Sequence, residues 1–374
     1  MTTITEGLTP AQYIAILNNN FAELQGTLGY TAFVLTDGIS EINSEFGETI
    51  VAAGQRGSVY FGAINNKFAE RQALRQSFLN DGFGLSFVIS LITFYSYASF
   101  PDATKDKDLF NPTDTDIDSW LDEWINTAVT AGAKYVGIPV VAEDGFCNWS
   151  TAFHETAQVP RSIAETTWYA NTGQVDLLLA FCNKTRAAGL KIMLEYSIRD
   201  TYHELITGTD ETTDAVSYMA MIDQRITELL TNYGKIDAMW FDDWAWHIDY
   251  ANIPFKGRFD LIKSLQPDCL VITNEQIHAP RSHGDICEYE STKAIPAINN
   301  TEFAEHYTTI RNDNVWAYDP TKDQTATALH TKEEILTEIS TMNARYSTAL
   351  IAVTPDRTGH LPSAQKTLLE SLQT

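Results

Sequence analysis

Two adjacent aspartates, Asp242 and Asp243, stand near the end of Lys235–Trp246, KIDAMWFDDWAW. Gly234 precedes the stretch and suits a left-handed cap on the helical pattern before it. Ile236, Ala238, Met239, Trp240 and Phe241 form an apolar run too short for a helix, dense enough for a strand buried on both faces. The aspartates fall where that strand runs out, the end at which parallel α/β folds place their chemistry. Adjacent strand residues point to opposite faces, so at most one of the pair can aim at a barrel axis. A carboxylate walled by Trp240, Trp244 and Trp246 suits sugar chemistry. Aromatic faces stack on apolar sugar faces, and a carboxylate attacks or stabilises an oxocarbenium-like centre. A helix-capping or surface-paired aspartate would explain the same residues without any chemistry.

Presenting such a carboxylate takes a scaffold of some size. The chain has 374 residues, 44% of them apolar, enough for one large barrel and a small extra module. From about Gly82, strand-like and helix-like segments alternate. The strand candidates are Leu85–Tyr95, Tyr135–Ala142, Lys191–Ser197, Ile236–Asp242, Cys269–Thr273, Asp285–Tyr289, Val315–Tyr318 and Ala349–Val353. Amphipathic helical patterns occupy Asp116–Thr130, Val175–Ala188, Ala215–Tyr233, Lys332–Arg345 and Ser363–Leu372. The stretches after the fifth and sixth strands look poor in helix. This rhythm over ~290 residues predicts an α/β fold, a (β/α)8 TIM-like barrel. A doubly wound sheet is the alternative, disfavoured because no Gly-rich phosphate loop opens a helix. The barrel is assigned to residues 81–374 and a small helical N-terminal module to residues 1–80.

Within that module, Thr9-Pro10-Ala11-Gln12 reads as a helix start. It opens QYIAILNNNFAELQ (Gln12–Gln25), which recurs as VYFGAINNKFAERQ (Val59–Gln72), Tyr60 following Tyr13 by 47 residues. Between the copies, Leu35-Thr36-Asp37-Gly38 is a turn and Ile39–Val51 a further helix candidate. A duplicated helix suits packing on itself or on neighbouring chains.

The formal charge of −24 argues against nucleic acid as a partner, because phosphate binding needs basic patches. Cys147, Cys182, Cys269 and Cys287 show no metal-ligand spacing, so neither a metal site nor a cofactor is expected. The N-terminus lacks the pattern of a signal peptide. The most hydrophobic run, Leu85–Tyr95, is too short to span a bilayer, so no membrane insertion is expected.

Two resemblances sharpen these expectations. The first 75 or so residues resemble the "T-D-G … I-N-x-x-F-A-E" segments near the N-termini of bacteriophage tail-fibre and other virion appendage proteins. That implies a virion protein assembled in the bacterial host cytoplasm, contacting other virion proteins through residues 1–80, forming a homo-oligomer and facing host-surface carbohydrate. The rest resembles the catalytic barrel of glycoside hydrolase family 29, the retaining α-L-fucosidases. Ala131–Val136 followed by Asp144–Trp149 is similar to "AGAKY … HHDGFCLW", and Gly189–Asp200 to "GLKFGLYYSLLDW". Leu229–Asp242 is similar to "ELLTNYGKIDVLWFDG", Trp316-Ala317-Tyr318 to "WGY", and Ala349–Gln365 to "NLLLNVGPDPDGRIPEEQ". The resemblance implies that Asp242 is the nucleophile.

A retaining enzyme needs a second carboxyl about 5 Å away. Glu290, in a segment similar to "GDYxTPE", is the first choice for acid/base; Glu305, in one similar to "WETCMTI", is the second, and Glu288 the third. Glu143, Trp149, Tyr196, Trp244, Trp246 and Trp316 are the candidate substrate contacts, with His247 a further one. A solvated loop carboxylate or a structural tryptophan would explain each of them equally well.

The departures matter too. Ala142 and Glu143 replace the family's paired histidines, Phe83–Thr93 lacks the histidine of "FGLFIHWG", and Asn274 is followed by Glu275 where an arginine is common. The resemblance assigns those residues to gripping fucose hydroxyls. Their absence leaves two readings: a retaining glycosidase of altered specificity, or a barrel that binds glycans, or merely fills space, without catalysis.

Overall fold

The computed structural model describes residues 57–95, 107–153, 162–198, 214–242, 255–274, 284–290 and 295–373. Eight strands follow in order: β1 (Phe83–Phe87), β2 (Tyr135–Val141), β3 (Lys191–Ser197), β4 (Ala238–Asp242), β5 (Leu270–Thr273), β6 (Ile286–Glu290), β7 (Ala304–Thr309) and β8 (Ser347–Val353). Each pairs in parallel with the next, and β8 closes on β1. The TIM-like (β/α)8 barrel expected from the sequence is therefore the fold.

Closure gives every strand two buried faces, which is why the strands read as continuous apolar runs. The inner face carries Met193, Trp240, Ile272 and Leu350. The outer face packs Val136, Leu194, Phe241 and Val353 against helices at Ile117–Ala131, Leu177–Ala187 and Asp214–Asn232. Local chemistry sets the helix ends. Asp116 accepts from Ser119 N at 3.2 Å and Asp176 from Leu179 N at 2.9 Å. Gly132 and Gly234, at φ 88° and 73°, take the left-handed conformation that ends a helix without a side-chain clash.

Two strands differ from expectation. The seventh is Ala304–Thr309, not Val315–Tyr318, which lies in an irregular segment beyond it. AEHYTT puts a polar side chain, Glu305 or His306, on each face, so it lacks the apolar signature of a buried strand. The first strand ends at Phe87, and Leu91–Phe94 forms a 3-10 turn started at Ser90. Residues 275–283 of the crossover after β5 and 291–294 of the one after β6, both expected to be poor in helix, lie outside the described residues.

The second copy of the repeated helix falls within Gly57–Leu79. The first copy, the turn at 35–38 and the segment 39–51 lie outside the described residues. The last turns of Gly57–Leu79 seal the barrel end where the strands begin. Phe78 packs on Tyr135 with ring centroids 4.8 Å apart. Arg71 and Arg75 reach Asp285 at 2.9 and 3.1 Å, and Lys263 reaches it at 2.7 Å from the other side. Burial pushes the Asp285 carboxyl up, but the three cations override it and hold it well below the usual carboxylate range. No helix among the described residues is long and apolar enough to cross a membrane.

Replacing Asp285 by alanine strands buried cations at the base of the barrel. The expected cost is about 3–5 kcal/mol of unfolding free energy at pH 7, measurable by urea denaturation. A loss below about 1 kcal/mol would contradict this view of the cluster.

Candidate active site

The site grows from the alternation of side chains along β4. Ala238 and Trp240 belong to the inner cluster and Phe241 to the outer one. Asp242 shares their parity and turns inward at the mouth. On β5 the next residue past the strand is Asn274, 1% exposed. Its Nδ2 donates to Asp242 Oδ1 at 2.9 Å and lies 3.5 Å from Glu290 Oε2 at the end of β6. Those two distances together set an upper bound on the gap between the facing carboxyl oxygens that lies just under the roughly 6.5–9.5 Å of inverting pairs, so the roughly 5–5.5 Å of a retaining pair is within reach. Asn274 Oδ1 has no protein partner among the described residues.

Both carboxyls border a hollow of about 190 Å³ at the C-terminal mouth of the barrel. Trp240, Tyr307 and Trp316 wall one side. Tyr307 meets both tryptophans edge-on, at 5.3 and 5.0 Å between centroids. Glu143, at the end of β2, borders the hollow as well.

The floor is acidic. Glu195, from the middle of β3, is 6% exposed and borders the hollow. Ser86 Oγ donates to its Oε1, and Tyr307 Oη donates to its Oε2 at 3.1 Å. Burial pushes its carboxyl up to about 7, against those two hydrogen bonds. Gly137 faces Glu195 from β2, and a methyl group there would overlap Oε1. Below this level Glu288 and Glu305 pair across β6 and β7, both fully buried. Tyr135 Oη donates to Glu305 at 2.7 Å, and the Tyr307 amide donates to Glu288 at 2.8 Å. Burial first, then a neighbouring carboxylate, raises both acids; that neighbour is Glu305 for Glu288 and Glu195 for Glu305.

The structure thus brings together Asp242, Glu290, Glu143 and Trp316. It separates three other candidates, Glu288, Glu305 and Trp149, from the hollow. Glu305 lies beneath the floor, where Tyr135 holds it. Trp149 is fully buried outside the barrel sheet and donates its indole N–H to Glu228 at 2.9 Å. Tyr196 borders the hollow as well, with its ring packed 6.1 Å from Phe241 in the sheet–helix layer. Trp244, Trp246 and His247 lie outside the described residues. Sequence reasoning passed over Glu195 and Tyr307 and assigned no role to Asn274. A charged residue inside the apolar strand KIMLEYS was the signal available for Glu195.

Comparison with known proteins follows the same lines. A family model described as alpha-L-fucosidase matches residues 93–374. Alpha-L-fucosidase 1 of Arabidopsis thaliana is 28% identical over 170 residues, 44% of this chain and 30% of that protein. A putative alpha-L-fucosidase 1 of Oryza sativa subsp. japonica is 28% identical over 152 residues, 41% of this chain and 27% of that protein. The matched part therefore spans less than a third of either plant protein. Among solved structures, alpha-L-fucosidase isoenzyme 1 from Paenibacillus thiaminolyticus has a TM-score of 0.65 at 22% identity, covering 81% of this chain and 75% of that one. Alpha-L-fucosidase AlfC from Lactobacillus casei, in complex with α-L-fucose product, has a TM-score of 0.62 at 18% identity, covering 80% and 97%. At these identities the structural likeness shows the fold.

The buried acids have a consequence for stability. A carboxyl whose folded pKa lies above its unfolded value binds its proton more tightly in the fold. Its contribution is fully present below the ordinary value near 4.5 and is lost as pH rises toward the folded value near 8. Glu305→Gln mimics the neutral acid. It should raise the melting temperature at pH 8 by roughly 3 °C or more and leave it unchanged at pH 4. An equal change at both pH values would contradict a protonated Glu305.

Proposed function

Because the chain belongs to the α-L-fucosidase family, we propose that its barrel is a retaining glycosidase with Asp242 as nucleophile and Glu290 as acid/base. The observation that carries this reading is the Asn274 amide, within reach of both carboxyls at the barrel mouth. Asp242 attacks the anomeric carbon while Glu290 gives a proton to the departing oxygen. The covalent glycosyl-enzyme is then opened by water, from which Glu290 takes the proton back. Asn274 holds Asp242 through its amide, which keeps the attacking oxygen aimed into the hollow. Trp240, Tyr307 and Trp316 offer aromatic surface to the apolar side of the sugar ring. The open hollow supports room for a single sugar unit.

A second reading, a binding-only barrel, is favoured by Ala142 and Glu143 standing where the resembled motif carries paired histidines. The likeness of residues 1–75 to virion appendage segments supports a setting for either activity. In it the barrel is carried on a bacteriophage particle, joined to other virion proteins through residues 1–80, and presented to host-surface glycans.

Kinetics with 4-nitrophenyl α-L-fucopyranoside separate the readings. The wild-type chain should turn it over, and Asp242→Asn should lower kcat/KM by at least about 10³-fold. Glu290→Gln should lose about 10²–10⁴-fold on alkyl fucosides and much less in the first step of the nitrophenyl substrate, whose leaving group needs no proton. Sugar binding without turnover in the wild type would favour the binding-only barrel.

A further inference from the structure

Among the described residues, three buried glutamates lie deeper in the barrel than Asp242 and Glu290, and they are not equivalent. Glu288 and Glu305 are sealed below the floor and turned on each other. Glu195 alone of the three borders the hollow. Each of its oxygens receives one protein donor, Ser86 for Oε1 and Tyr307 for Oε2. A carboxyl has about four acceptor sites. Two of them are thus left to whatever fills the hollow, and buried polar groups are rarely left unmatched. Gly137 keeps the space beside Oε1 clear, since any side chain there would strike it.

Strand register fixes the height of this group. Glu195 pairs with Trp240 on β4, whereas Asp242 pairs with Ser197. Glu195 therefore lies one inward-facing step deeper than Asp242, about 7 Å along the strand. A pyranose ring with its hydroxyls bridges that separation. With the anomeric carbon against Asp242, the opposite edge of the ring meets Glu195.

We propose that Glu195 is a specificity-determining residue whose carboxyl accepts a hydrogen bond from a sugar hydroxyl on the ring edge remote from the anomeric carbon. The inference rests on the glycosidase reading and adds to it a requirement for a hydroxyl at that edge. Ser86 and Tyr307 hold the carboxyl in place, so the contact is made without reordering the floor.

The test is a cycle between protein and sugar, read by calorimetric titration in the full-length Asp242→Asn chain. The probes are L-fucose, 3-deoxy-L-fucose and 4-deoxy-L-fucose. Glu195→Gln keeps the shape and should weaken L-fucose roughly ten- to hundredfold. For one of the two deoxy sugars the same substitution should change affinity less than about twofold, because the hydroxyl it would lose is already missing. Equal weakening of all three sugars would overturn the proposal, as would no weakening of any. Should the glutamine variant fail to fold, Glu195→Asp, which withdraws the carboxyl by one methylene, must show the same selectivity. If Asp242→Asn and the wild type bind none of the three, the glycosidase reading falls and this inference with it. If both bind L-fucose and Glu195→Gln binds it as well, only the role of Glu195 is lost.

Discussion

The candidate site is organised around an amide set between two carboxyls. Two carboxyls at the mouth of a barrel repel each other, and the cost grows as water is excluded. Asn274 Nδ2, with two hydrogens to donate, sits within reach of both Asp242 and Glu290. The backbone has already set this meeting: Asp242, Asn274 and Glu290 come from three consecutive strand ends of a closed sheet. Closure fixes their spacing more firmly than any loop could. In the proposed mechanism Asp242 and Glu290 act across that spacing in a double displacement.

The two ends of the barrel treat acids in opposite ways. At the base, Asp285 is ringed by Lys263, Arg71 and Arg75 and stays ionised despite burial. Higher along the axis, Glu288 and Glu305 face each other, and among the described residues their donors are neutral: Tyr135, Trp240 and the Tyr307 amide. Burial then favours the protonated form. A carboxyl thus anchors a helix where cations surround it and becomes a neutral hydrogen-bonding group where they do not. Glu195 stands between these cases, near the hollow and near the balance point of its own ionisation.

Much of this was legible in the chain. Runs such as YVGIPVV, AMWFD and STALIAV announce strands buried on both faces, and Gly132, Gly189 and Gly234 mark helix ends by needing positive φ. Asp242 was legible as an inward candidate because it ends such a run. β7 was hidden because its buried Glu305 reads as a loop residue, and the donor that makes its burial tolerable, Tyr135, lies 170 residues away in sequence. The fate of Trp149 was hidden for a related reason: its indole N–H finds Glu228, far along the chain, and local spacing does not carry such contacts.

The central claim is that Asp242 forms the covalent bond to the sugar. Incubation with a 2-deoxy-2-fluoro-fucosyl fluoride, whose fluorine slows breakdown of the intermediate, tests it directly by intact-protein mass spectrometry and peptide mapping. The account predicts a mass gain of one fluorosugar located on Asp242. A label on another residue, or an unlabelled protein that still turns over fucosides, would contradict it.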